Sequence, residues 1–148
     1  MTNAPPVPRA VHTLFEEHRA LRDLLSQVES AFTRAAPRAA TGPDVVAARL
    51  DTLRGPLGAH FDEEERAGLF EEIEAQAPEQ SVACSRLRSE HVTLLRRLDE
   101  LRLANPEDRR SPAWGEAVRA LLRDLHGHEE RESDLLQRTL DGSTAALD

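Results

Sequence analysis

Six residues have metal-binding side chains and fall at spacings that would bring them together: His18, His60, Glu64, His91, His128 and Glu132. His60 and Glu64 stand four positions apart, as do His128 and Glu132. On a helix, both members of such a pair project from one side, about 6 Å apart along the axis. Imidazole nitrogen and carboxylate oxygen suit iron, manganese or zinc, and two glutamates able to bridge suit a pair of metal ions. The one cysteine, Cys84, is too few for a thiolate zinc site or an iron–sulfur cluster. Haem would need a large apolar pocket that nothing in the sequence provides. Burying four imidazoles and two carboxylates in a small core is unfavourable unless a cation compensates them.

The elements that must position these side chains follow from apolar periodicity. Val11, Leu14, His18, Leu21, Leu25 and Val28 mark a helical segment over about 9–34, stopped by Pro37 and Thr41-Gly42-Pro43. A second segment starts near Asp44 and runs to Pro78, with Val46, Leu50, Leu53, Leu57, His60 and Glu64 on one face. Gly55, Pro56 and Gly58 predict a kink within it. A third covers about 80–103 (Cys84, Leu87, His91, Leu94, Leu98) and ends at Asn105-Pro106. A fourth opens at Ser111-Pro112, carries Val118, Leu121, Leu125, His128, Glu132 and Leu135, and closes at Gly142. The short connections predict antiparallel neighbours and an all-α, up-down-up-down four-helix bundle over 9–141, with a disordered lead at 1–8 and a flexible tail at 142–148.

Depth supports that arrangement. His18 and His60 each lie about 16 residues, roughly 24 Å, from their shared loop. Glu64 and His91 lie about 12 and 11 residues from theirs. His91 and His128 differ by about one turn, which the 104–111 connection or a boundary shift would absorb.

Bulk properties narrow the partners. The chain has 148 residues, suited to one domain, with 39% hydrophobic, 31% charged and 3% aromatic residues and no tyrosine. Its net charge of -8 disfavours nucleic acid and anionic membranes. All the cationic side chains except histidine are arginines. No apolar run approaches the roughly 20 residues of a membrane span. With no secretion-signal pattern and no disulfide pair, a cytoplasmic location is expected.

Other polar residues read as ordinary surface. His12 sits at the edge of its face. His126, with Glu130 four residues on, is the rival to His128, but His128 and Glu132 share the face of Leu121, Leu125 and Leu135. Glu16, Glu17, Glu63, Glu65, Glu90, Glu129 and Glu130 read mostly as solvated, with Glu90 or Glu129 the candidate to orient a ligand imidazole through its second nitrogen. Cys84 reads as an inert thiol and Trp114 as packing near the start of the fourth segment.

The ordered set Glu17-His18, His60-Phe61 to Glu64-Glu65, Glu90-His91 and His128 to Glu132 resembles the hemerythrin-like, or HHE cation-binding, family. The resemblance spans roughly residues 10 to 140. It implies an antiparallel bundle with a non-haem di-iron centre, two iron ions with manganese or zinc as alternatives. His18, His60, His91 and His128 would be terminal ligands, and Glu64 and Glu132 would bridge. Oxygen-carrying hemerythrins place two histidines close together on the third helix, whereas this chain has only His91 there, which leaves a nitrogen donor fewer. The expectation is a protein that binds or reacts with dioxygen or a related oxidant, in oxygen or iron sensing. The alternative is an enzyme for peroxide decomposition or nitric oxide reduction.

Overall fold

The computed structural model describes the backbone of residues 7–32 and 41–145 and the side chains of 16–32 and 41–142. Among the described residues the chain is all-helical. Its elements are α1 (Val7–Ser30), α2 (Pro43–Arg66), α3 (Leu69–Gln76), α4 (Ser81–Arg102) and α5 (Pro112–Ala145), with 3-10 turns at Pro78–Gln80 and Asp108–Arg110.

Local chemistry sets the boundaries. Gly42 takes φ 109°, a conformation open to glycine, and Pro43 then occupies the first turn of α2 with Asp44 beside the helix's positive end. The helix is unbroken through Pro56, where a kink is expected; Pro56 faces solvent, so water can reach the carbonyl that its missing N–H leaves behind. The break comes later. Gly68 adopts φ 73°, in the left-handed region, and divides the expected second segment into α2 and α3. At the far end, α5 continues through Gly142 to Ala145 instead of stopping there. α1 begins at Val7 and ends at Ser30, about four residues short of the expected stop. Apart from these helical ends, the expected lead at 1–8 and tail at 142–148 lie outside the described residues.

Cross-helix partners give the packing. Between α1 and α2, Arg49 Nη1 donates to Gln27 Oε1 at 3.5 Å, and His60 Nδ1 meets Glu17 Oε2 at 2.7 Å. Between α2 and α4, Asp51 pairs with Arg102 at 3.3 Å and Asp99 with Arg54 at 2.8 Å. Between α4 and α5, Trp114 Nε1 donates to the Leu101 carbonyl at 3.0 Å and Arg97 pairs with Asp124 at 2.6 Å. In each pair of neighbours, partner numbers on one helix rise as those on the other fall. The chain therefore reverses direction at each of these steps. α1 and α5 also touch, through Glu29 and His126.

The apolar side chains form two clusters. The larger unites Leu21, Leu25, Leu50, Leu53, Leu98 and Leu121 with their neighbours, all buried. The smaller holds Phe70 and Ile73 of α3 against Cys84, Leu87, Leu135 and Leu136. The turn at Gly68 thus brings α3 against α4 and α5. Fully burying each such leucine contributes about 1.5–3 kcal/mol. No helix among the described residues is long and apolar enough to cross a membrane.

Candidate metal centre

Between the two apolar clusters lies a layer of a different kind. His18 follows one turn before Leu21 in α1, Glu64 lies between Phe61 and Phe70, His91 between Leu87 and Leu94, and His128 and Glu132 between Leu125 and Leu135. Each occupies the inward position of an apolar stripe, so the periodicity that buries leucines above and below also buries these donors. All six are buried, with Glu64 2% and Glu132 1% exposed. Phe61 stacks on the His91 ring at 4.0 Å and closes the layer against water.

The donors form two groups. His18, His60, Glu64 and Glu132 offer ligand atoms within 4.8 Å of one another, and so do His91, His128 and Glu132. Glu132 is common to both. Its Oε1 lies 2.9 Å from His18 Nε2, and its Oε2 lies 3.2 Å from His128 Nε2. Glu64 is divided in the same sense: its Oε1 contacts His60 Nε2 and its Oε2 lies 3.6 Å from His91 Nε2. Each carboxylate therefore turns one oxygen toward each pair of imidazoles.

Two imidazoles are held from behind. His60 Nδ1 donates to Glu17 Oε2 at 2.7 Å, and His128 Nδ1 donates to Glu90 Oε2 at 2.7 Å. Glu17 favours the His60 tautomer with the proton on Nδ1, which leaves its Nε2 lone pair facing inward, whereas at His128 burial is outweighed by the Glu132 and Glu90 carboxylates on its two nitrogens, which push the ring's pKa up. The inward atoms then converge with few hydrogen bonds between them. Neither Glu64 oxygen, nor His60 Nε2, nor His91 Nε2, has a hydrogen-bond partner of acceptable geometry despite their closeness. Buried nitrogen and oxygen donors that converge with so few hydrogen bonds among them are the arrangement that a cation satisfies. The nitrogen and oxygen donors, without thiolate, fit iron, manganese or zinc.

The electrostatics agree. Burial, reinforced by the neighbouring Glu132 charge, pushes the Glu64 carboxyl up to about 12. Burial opposes ionisation of Glu132 too, but hydrogen bonds from His128 and His18 hold it well below the usual carboxylate range. The coupled pair thus keeps one proton on Glu64 at neutral pH. Burial lowers His60, and burial with the nearby His128 lowers His91 to about 4, so both are neutral donors.

The six expected residues are brought together. The one-turn mismatch between His91 and His128 is absorbed by the 103–111 connection: Leu101 faces Trp114 and Arg97 faces Asp124, which sets His91 level with His128, ring centroids 4.9 Å apart. His126 stands outside the layer, bonded to Glu29 at 2.8 Å. The side chain of His12 lies outside the described residues. Glu90 does orient an imidazole. Glu129, the other candidate, is buried instead of solvated, and neither of its oxygens has a hydrogen-bond partner. Glu17 was expected at the surface but ties His60. Its signal was present, because it adjoins His18 at the depth of His60. Cys84 is buried, and burial pushes its thiol up, consistent with an inert group.

The family model for the hemerythrin HHE cation binding domain matches residues 9–140. Comparison with curated proteins and with solved structures found no significant match.

Proposed function

The chain belongs to the hemerythrin HHE cation-binding family, and from that premise we propose that it is a non-haem di-iron protein that binds or reacts with dioxygen or a related small oxidant. In this reading the four long helices form an antiparallel up-down-up-down bundle, which the opposed numbering of cross-helix partners supports. His18 and His60 would hold one iron and His91 and His128 the other, with Glu64 and Glu132 shared between them. The observation that carries the proposal is the division of each carboxylate, one oxygen toward each imidazole pair.

Two ferrous ions at these positions would supply electrons to a bound oxidant. The chain's own residues do the rest. Glu17 and Glu90 fix the ring orientation of His60 and His128. Phe61, Phe70 and the flanking leucines keep bulk water from the layer, so the donors stay aligned in a low-dielectric setting. A surface cleft between α1 and α2, lined by Ala20, Leu21, Leu24, Pro56, Ala59 and His60 with Glu17 and Glu63 among them, reaches the edge of the site. Its mostly apolar walls suit a small neutral molecule better than an anion.

The test is anaerobic ferrous reconstitution followed by absorption spectroscopy on admitting air. New near-ultraviolet bands that vanish when oxygen is removed support binding. The same bands without reversal support oxidation chemistry, and sustained consumption of added peroxide would mark an enzyme. An iron-loaded protein with no spectral response to oxygen, peroxide or nitric oxide contradicts the proposal.

A further inference from the structure

The two outer carboxylates look alike in length but not in company. Glu17 Oε2 accepts from His60 Nδ1, and Glu90 Oε2 accepts from His128 Nδ1, each at 2.7 Å. Glu90 Oε2 also accepts from Arg131 Nη2 at 2.7 Å. One oxygen thus serves both a ring N–H and a guanidinium. Among the described residues no arginine pairs with Glu17, which is about a third exposed and has His60 as its ion-pair partner. His91 Nδ1 has only Glu65 Oε1 nearby, at 3.9 Å, too far for a hydrogen bond.

A carboxylate on the outer nitrogen of an imidazole strengthens the inner nitrogen as a donor. A guanidinium on the same oxygen withdraws part of that effect, because the oxygen's charge is shared between two donors. Building on the two-cation reading above, we propose that Arg131 is a positioning residue that weakens His128 as a donor through Glu90. The chain then holds its two cations unequally, tightly at His18 and His60 and loosely at His91 and His128.

Stepwise cobalt(II) titration of the metal-free chain by calorimetry tests this, with NMR of the buried ring N–H protons as a readout that needs no metal. The wild type should take up two cations with distinct affinities. Arg131→Gln should tighten the weaker step by about tenfold, leave the tighter step in place, and move the His128 ring proton downfield with that of His60 unchanged. Arg131→Lys should restore most of the wild-type behaviour. In a Glu90→Gln background, Arg131→Gln should have no effect on the weaker step, since the route through Glu90 is already cut. Equal tightening of both steps would reveal only the loss of a nearby positive charge and would overturn the inference. So would an unmoved His128 proton, or two equivalent cations in the wild type, while leaving the two-cation reading intact. A wild-type chain that takes up no cation sinks that reading and this inference together.

Discussion

The apolar half of the helical core and the histidine layer beside it are built on the same helices, yet they are satisfied in different ways. Around Leu50, Leu53, Leu98 and Leu121 the interior is hydrocarbon, and the polar groups at its margin are paired: Arg54 and Arg102 both donate to Asp99, and the Trp114 indole donates to the Leu101 carbonyl. In the histidine layer, buried ring nitrogens and carboxylate oxygens converge, and several of them, among them His60 Nε2, His91 Nε2 and Glu132 Oε2, have no hydrogen-bond partner. The first region is complete as a fold. The second gathers buried side chains of the kind that hold a metal ion. The same stripe periodicity produced both, so burial is a property of position, and function enters through the side chain placed there.

The largest effects should fall in the histidine layer. Glu132→Ala removes the oxygens shared by both imidazole pairs, and metal affinity should fall by more than about 100-fold, beyond what loss of an outer partner alone causes. Metal analysis after dialysis would check this, and full retention would break the contrast between the two regions.

In the apolar half the converse holds. Leu53→Ala should lower unfolding stability by about 2–5 kcal/mol in urea denaturation while leaving metal stoichiometry as it was. A loss of metal in proportion to stability would show that the regions are not separable.

Proton linkage sharpens the comparison. Glu64 keeps its proton up to about 12 in the metal-free fold, whereas a free glutamate gives it up near pH 4. Metal must displace that proton, so apparent affinity should rise with pH, by up to about tenfold per pH unit for each proton released. For the metal-free fold the sign is the reverse. The folded state holds a proton that the unfolded chain lacks, so its stability should fall as pH rises from neutral. Denaturation midpoints at pH 7 and 9, with and without metal, would read both trends. Accordingly, Glu64→Gln, which resembles the protonated acid, should change metal-free stability by less than about 1 kcal/mol yet abolish two-metal uptake.

The smallest effect is at the apolar margin. Hydrogen bonds from Arg54 and Arg102 hold Asp99 below its usual range. Its contribution should be present above about pH 4 and disappear as pH falls through the lowered value. Asp99→Asn should therefore cost within about 1 kcal/mol at pH 7 and nothing in strong acid, as measured by urea midpoints.

Much of this was legible from residue spacing. His60 with Glu64 and His128 with Glu132 declared their faces by a separation of four, and counting depth from the loops set His18 against His60, whose rings lie 4.8 Å apart. The count succeeded although α1 ends before the expected boundary, because facing residues are fixed by the stripe and not by where a helix frays. The break at Gly68 was not legible. Gly55 and Gly58 look the same locally, and the helix runs through both. What distinguishes Gly68 is non-local: Phe70 and Ile73 beyond it pack on Cys84, Leu87 and Leu135, and only the left-handed turn brings them there. Glu17 escaped for a similar reason. A glutamate in a charged run reads as solvated until the imidazole on the neighbouring helix is placed beside it.

The measurement that bears most directly on the central claim is metal stoichiometry after anaerobic loading with ferrous iron and removal of excess, on the wild type and Glu64→Gln side by side. The account predicts about two irons per wild-type chain and a loss of that stoichiometry in the variant. Wild-type protein that retains no iron, or a variant that retains as much as the wild type, would contradict it.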